Sequence, residues 1–198
     1  KIYFYYGKSI MVINLVNFLI SCAIAIYFML PAYVSNLSGL AFGGGTPMDK
    51  GKTLSDGYRI IGNGVTWKGF ISGTILGTLV GGIQGFLCIN LTQISGGIIT
   101  LNVFQSIPNG LILGFILAFG ALLGDAVGSF IKRRLGISSG KPAPFLDQLD
   151  FVIMSLLLIS FIVPLSIDFV LIIAFITLIL HLSSNTIAYL LGIKDVWY

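Results

Sequence analysis

Glutamate is absent from this 198-residue chain: all seven acidic residues are aspartates, set against only 11 Lys and Arg. Charged residues make up 9% of the sequence, where a soluble domain carries about 25%. The single histidine, His181, lies in an apolar stretch with no acidic motif beside it. A Ser-His-Asp set is therefore not available, and His181 reads as a packing or pore-lining residue. The two cysteines, Cys22 and Cys88, sit in apolar runs without metal or redox spacing, which removes a disulfide framework and a Cys/His zinc site. Walker A and Rossmann glycine spacings are missing, as is any nucleic-acid-binding module, so no nucleic-acid partner is expected.

What the chain does have is apolar length. Hydrophobic residues are 56% of it and the mean hydropathy is +1.00, the composition of an all-α integral membrane protein. Five stretches approach the roughly 20 apolar residues that a helix needs to cross a bilayer: about 10–34, 70–91, 109–131, 151–165 and 168–193. The first is too long for a signal-peptide core and lacks a small-residue cleavage site, so it reads as a permanent span. The whole of 1–198 is expected to form one membrane domain, with loops at about 35–69 and 132–150 building the site.

Those two loops carry Lys50, Lys52, Arg59 and Lys68, and Lys132, Arg133, Arg134 and Lys141, whereas the stretch from Thr92 to Pro108 has no Lys or Arg. By the positive-inside rule the basic loops face the cytoplasm. Five spans in the cell membrane then put the N-terminus outside and the C-terminus, with Lys194, inside. Gly73, Gly77, Gly81 and Gly85 form one small-residue ridge and Gly120, Gly124 and Gly128 another. Such ridges let helix backbones approach closely in lipid. They are expected to pack spans two and three together, to bring the basic loops side by side, and to offer a surface for a homo-oligomer.

The chemistry-bearing stretch is "GDAVGSFIKRR", Gly124 to Arg134. On a helix, Asp125, Ser129, Lys132 and Arg133 fall on one face, with Arg134 pointing away as a headgroup anchor. The basic residues also suit a plain positive-inside flank. Asp125 lies deeper, and an acid at that depth marks a working site; such a carboxylate suits a divalent ion, with the cations holding phosphate oxygens. Asp147 and Asp150 follow in "KPAPFLDQLDFV", three residues apart on one side of a first helical turn. They suit either a helix dipole or, with Asp125, a metal that also binds phosphates. The glycine-rich first loop offers backbone N–H groups to phosphates. Trp67 reads as an interfacial belt residue, and Lys68 as a snorkelling anchor or a phosphate ligand.

"GDAVGSFIKRR", "KPAPFLDQLDF" and "GVTWKG" resemble the signature of the CDP-diacylglycerol synthase family, carried here by Gly124, Asp125, Ser129, Lys132, Arg133, Asp147, Asp150 and Thr66 to Gly69. "PAPFL" replaces that family's Pro-Gly-His-Gly-Gly run and the chain is short, and both departures resemble its archaeal branch. The resemblance spans roughly Asp49 to Phe151. It implies a reaction of CTP with a prenyl-ether lipid phosphate, 2,3-di-O-geranylgeranylglyceryl phosphate, giving a CDP-lipid and pyrophosphate with Mg²⁺ as cofactor. It implies Asp125, Asp147 and Asp150 as metal ligands and Asp125, Lys132 and Lys68 as the catalytic set. Thr66, Lys68, Ser129, Lys132 and Arg133 are implied at the phosphates, with Lys52 and Arg59 closing over the nucleotide. The lipid phosphate is itself the nucleophile, so no Ser, Cys or His is required. A CDP-alcohol phosphotransferase shares the faint "DGYR" echo but lacks its second aspartate motif here. A small transporter or channel would explain Asp125 but not the adjacent Lys-Arg pair.

Overall fold

The computed structural model describes residues 2–94, 103–190 and 192, leaving aside the side chains of 2–14, Leu40, Leu91, Thr92, Ile94 and Ala188. Among these residues the chain is all-helical: α1 (Ile2–Ala41), α2 (Trp67–Ile94), α3 (Ile107–Arg134), α4 (Leu146–Ile159) and α5 (Ile167–Leu190). Among the described residues the only pairings of extended chain are two isolated bridges, Pro47 with Thr66 and Thr53 with Arg59. Four helices carry stretches long and apolar enough to span a membrane, Leu15–Gly39, Trp67–Asn90, Ile107–Arg134 and Ile167–Ile187.

The helix ends differ from those expected. α1 is longer at both ends and accommodates Pro31 in its interior. The fourth stretch starts earlier and ends earlier than 151–165. Asp147 in the first turn of α4 favours the helix dipole, and its side chain accepts the Ala143 N–H at 2.8 Å. At the other end Pro164 disfavours a helical Val163, and the chain turns after Ile159. With 14 residues, α4 is about 21 Å long, short of the roughly 30 Å hydrocarbon core. Ile193 and Lys194 lie outside the described residues.

α3 is the central helix, the most enclosed of the spans. Phe28, Met29, Ala32, Leu117, Ala121, Val152, Ile159 and Ile173 are buried between α1, α3, α4 and α5, while Ile75, Leu79, Phe115, Leu171 and Phe175 face outward. Polar side chains tie helices together inside this apolar body, as interhelical bonds do in lipid. Ser35 Oγ donates to Ala118 O (3.1 Å), Ser155 Oγ to Leu117 O (2.9 Å) and Gln84 Nε2 to Tyr27 O (2.5 Å).

Both glycine ridges are filled by this chain's own helices. A Cβ on Gly77 would stand 2.5 Å from Ala118 Cβ and 2.6 Å from Pro31 O, and one on Gly81 2.6 Å from Gly114 Cα. The first ridge thus seats α1 and α3. The second does not pack on α2 as expected. A Cβ on Gly120 would lie 2.8 Å from Ser155 Cα and one on Gly124 2.7 Å from Phe151 Cα, so this ridge receives α4.

Candidate active site

That second ridge builds the centre of the site. Because Gly124 and Gly128 have no side chains, the first turn of α4 lies directly on α3, and a Cβ on Gly128 would meet Asp150 Cβ at 2.9 Å. Lys132, in the last turn of α3, reaches across to Asp147 (Nζ to Oδ1 2.7 Å). Asp150 Oδ1 accepts the Phe151 N–H at 2.7 Å. Asp125, one turn deeper, is half-buried and close enough to Asp147 and Asp150 to feel their charge. Among the described residues it has neither a hydrogen bond nor a salt bridge.

On its other side Asp125 borders a small cleft lined by Asn36, Gly39, Gly64, Val65, Thr66, Gly69, Phe70 and Leu122. The wall opposite α3 is the start of α2. Thr66 is buried and caps that helix, its Oγ1 accepting the Gly69 N–H at 3.1 Å, an N-cap role that the resemblance did not suggest. Lys68 is exposed in the first turn, and Lys52 is exposed on the loop before it.

The loop from Gly43 to Thr66 owes its shape to Asp49, which sequence reasoning passed over. Its side chain is wholly enclosed and receives Arg59 Nη2 (2.5 Å) and Nε (3.1 Å) together with the N–H groups of Gly51 (3.0 Å), Ile61 (3.0 Å) and Gly62 (2.8 Å). The Arg59 guanidinium holds the Asp49 carboxyl well below the usual carboxylate range; burial opposes this, and the three backbone N–H groups reinforce it. The pairing in turn raises Arg59 above its ordinary value. The Asp-Lys-Gly turn was the available signal, since a side-chain bond from Asp49 to the Gly51 N–H is an Asx turn. Arg59, expected at the nucleotide, is engaged by Asp49 and by Asn63 Oδ1 (3.0 Å).

Arg134 does not point away. It bonds the Asp56 carboxylate and the carbonyls of Tyr58 (3.3 Å) and Arg59 (2.5 Å), clamping the first loop to the end of α3. The two basic loops therefore do meet. Ser129 is half-buried on the α3 face between Asp125 and Lys132, and Arg133 is buried beside Gly62.

Whether a divalent ion fits depends on the carboxylates. Among the described residues no three His, Cys, Asp or Glu side chains converge on one ion position, so a three-aspartate cage is not preformed. Mg²⁺ does not need one: one or two carboxylates suffice, with water and substrate phosphates completing the octahedron. Asp125 and Asp150 suit that pair, being hard oxygen donors without a salt bridge among the described residues. Asp147 is engaged by Lys132 and the Ala143 N–H.

The family profile described as "CarS-like: CDP-archaeol synthase" matches residues 12–198. The chain belongs to the CDP-archaeol synthase family. It is 57% identical over 187 residues to the CDP-archaeol synthase of Methanothermobacter thermautotrophicus, covering 94% of this chain and 98% of that one. It is 51% identical over 175 residues to the CDP-archaeol synthase of Methanocaldococcus jannaschii, covering 88% and 96% respectively. A solved structure described as "Structural insight into an intramembrane enzyme for archaeal membrane lipids biosynthesis" superposes with a TM-score of 0.66 at 36% identity, over 81% of this chain and 92% of its own. The expectation of an all-α multi-pass membrane enzyme of this family holds.

Proposed function

We propose that the α3–α4 cluster is where this chain transfers the CMP unit of CTP to 2,3-di-O-geranylgeranylglyceryl phosphate. As a member of the CDP-archaeol synthase family the chain is a cytidylyltransferase making CDP-archaeol in membrane lipid biosynthesis. The observation that supports this placement is Asp125: a carboxylate within a spanning helix, without a hydrogen bond or salt bridge among the described residues, set between a small cleft and Asp150. A bare acid at that depth is costly and calls for a cation.

An oxygen of the lipid phosphate attacks the α-phosphorus of CTP. The new P–O bond forms as the bond to the β-phosphate oxygen breaks, and pyrophosphate leaves with that electron pair. Such transfers depend on positioning and on neutralising charge. Mg²⁺ held by Asp125 and Asp150 would supply charge neutralisation at the phosphates. Lys132, released from Asp147, and Lys68, exposed in the first turn of α2, would contact phosphate oxygens, with Ser129 as a further hydroxyl donor. The basic loops are assigned to the cytoplasmic side, where CTP arrives from water and the lipid from the bilayer, with the N-terminus outside. The test is incubation of purified chain with CTP, Mg²⁺ and the lipid phosphate. CDP-lipid and pyrophosphate in equal amounts are expected; neither product across varied detergents and temperatures would overturn the reaction.

A further inference from the structure

One polar side chain of α1 reaches the cleft that borders Asp125. Asn36 is half-buried near the end of that helix and lines the same cleft. The polar groups around it tie helices together: Ser35 donates to Ala118 O at 3.1 Å, Ser155 to Leu117 O at 2.9 Å, and Tyr33 shares a 2.8 Å bond with Thr177. Asn36 makes no hydrogen bond among the described residues. Its carboxamide brings two N–H donors and an acceptor into an apolar span, where polar groups without protein partners are costly and mark working positions.

Helix register fixes the depth of Asn36. The Ser35–Ala118 bond sets those two residues level. Four residues on in each helix, a Cβ on Gly39 would meet Leu122 Cδ2 at 2.8 Å, so α1 and α3 run in the same direction. Asn36 follows Ser35 by one residue and Asp125 follows Ala118 by seven. The difference of six residues places Asn36 about 9 Å further from the loops than Asp125.

The cleft therefore has a shallow end at Asp125, facing the loops, and a deep end at Asn36, facing the hydrocarbon. Val65, Phe70 and Leu122 give it an apolar lining. A nucleotide arriving from water presents its phosphates at the shallow end. An ether-lipid phosphate also presents groups deeper down: its glycerol ether oxygens lie between the phosphate and the tails, and they accept hydrogen bonds but donate none. The side-chain donors bordering the cleft are Asn36 and Thr66, and Thr66 sits at the loop end, capping α2. We infer that Asn36 recognises the glycerol of the acceptor lipid, its Nδ2 donating to an ether oxygen while the lipid phosphate lies at the level of Asp125. This rests on the cytidylyl-transfer reading and adds to it a residue of α1 that sets lipid specificity.

The test titrates the full chain in detergent micelles, without CTP, and reads affinity by thermal unfolding. Two lipids serve as probes: 2,3-di-O-geranylgeranylglyceryl phosphate, and geranylgeranyl phosphate, which has the phosphate and the prenyl tail but no glycerol. Asn36→Leu, similar in size and unable to donate, is expected to lower the ratio of the two affinities about fivefold, the worth of one hydrogen bond. Asn36→Ala should do the same, which guards against a misfit of the leucine. Both should keep or exceed the parent's ligand-free unfolding midpoint. In turnover assays the KM for the glyceryl lipid should rise about fivefold while the KM for CTP stays within about twofold of the parent. Ser35→Ala, which breaks the tie to Ala118, is expected to lower the ligand-free midpoint and leave the affinity ratio unchanged. An affinity ratio within about twofold of the parent in both Asn36 variants would overturn the assignment. So would a parent chain that binds neither lipid, or a midpoint lowered in both variants, which marks an amide serving only the fold. Because binding is read without turnover, a parent chain that distinguishes the lipids through Asn36 yet forms no CDP-lipid sinks the reaction and leaves the lipid contact standing.

Discussion

Lys132 and Asp147, on different helices and 15 residues apart, meet at 2.7 Å. The link joins the end of α3 to the start of α4 at the level where Asp150 enters the site. Lys132 is largely shielded and Asp147 about a third exposed, so the pair lies between the surface and buried limits. Asp147→Asn or Lys132→Met is each expected to destabilise the chain by about 1–3 kcal/mol. In a double-mutant cycle on thermal unfolding the two should couple by more than about 0.5 kcal/mol. Additive effects would mean that the contact does not hold the helices together.

Asp125 should separate function from stability. Asp125→Asn removes a charge from within a membrane-spanning helix, so the unfolding midpoint is expected to hold or rise. Turnover is expected to fall about a hundredfold or more, on the scale of losing an electrostatic group at a phosphoryl-transfer site. Near-normal turnover with CTP and lipid phosphate would remove Asp125 from the catalytic set.

The close approach of α3 and α4 depends on two missing side chains. Gly124→Ala would drive a Cβ to 2.7 Å from Phe151 Cα, against backbone that cannot swing aside. A loss of about 1–3 kcal/mol is expected from such overpacking, with activity falling as Asp150 is displaced. Gly64→Ala meets nothing within 4 Å and should leave the unfolding midpoint unchanged.

The first loop should show a defined acid response. Asp49 has a folded-state pKa held below its unfolded value by Arg59. Its contribution is therefore fully present above the ordinary aspartate value of about 4 and is lost as pH falls below that toward the folded value. Hydrogen exchange at the Ile61 and Gly62 amides, both bonded to Asp49, is expected to show constant protection from about pH 5 to 7 and a decline below about pH 4. In Asp49→Asn that protection should be weaker and should lose its acid dependence. A parent loop whose protection fell between pH 5 and 7 would contradict the pairing.

Much of this architecture was legible because lipid restricts the choices. Apolar runs of about 20 residues have few structures open to them other than spanning helices, and the runs at about 10–34, 70–91, 109–131 and 168–193 lie within α1, α2, α3 and, for its described residues, α5. The Asp147–Asp150 spacing likewise showed that both carboxylates share the start of a helix. The short α4 was harder, because its ends depend on Asp147 folding back on Ala143 and on Pro164. Least legible were the loop contacts. Asp49 finds Arg59 and three backbone N–H groups, and Arg134 finds Asp56 from 78 residues away; no periodicity encodes such a path.

The sequence alone determined that this is a multi-pass helical membrane protein with an acid embedded in a span and basic loops at the helix ends, since composition and apolar run length follow from the bilayer and the backbone. Only the tertiary structure decided which charges are available for chemistry. The roll of Lys, Arg and Asp shows which ions exist. Pairing across loops and helices decides which of them are neutralised: among the described residues Asp125, Asp150 and Arg133 have no salt bridge, while Arg59, Arg134 and Lys132 are held, because electrostatic energy depends on distance and burial and not on order along the chain.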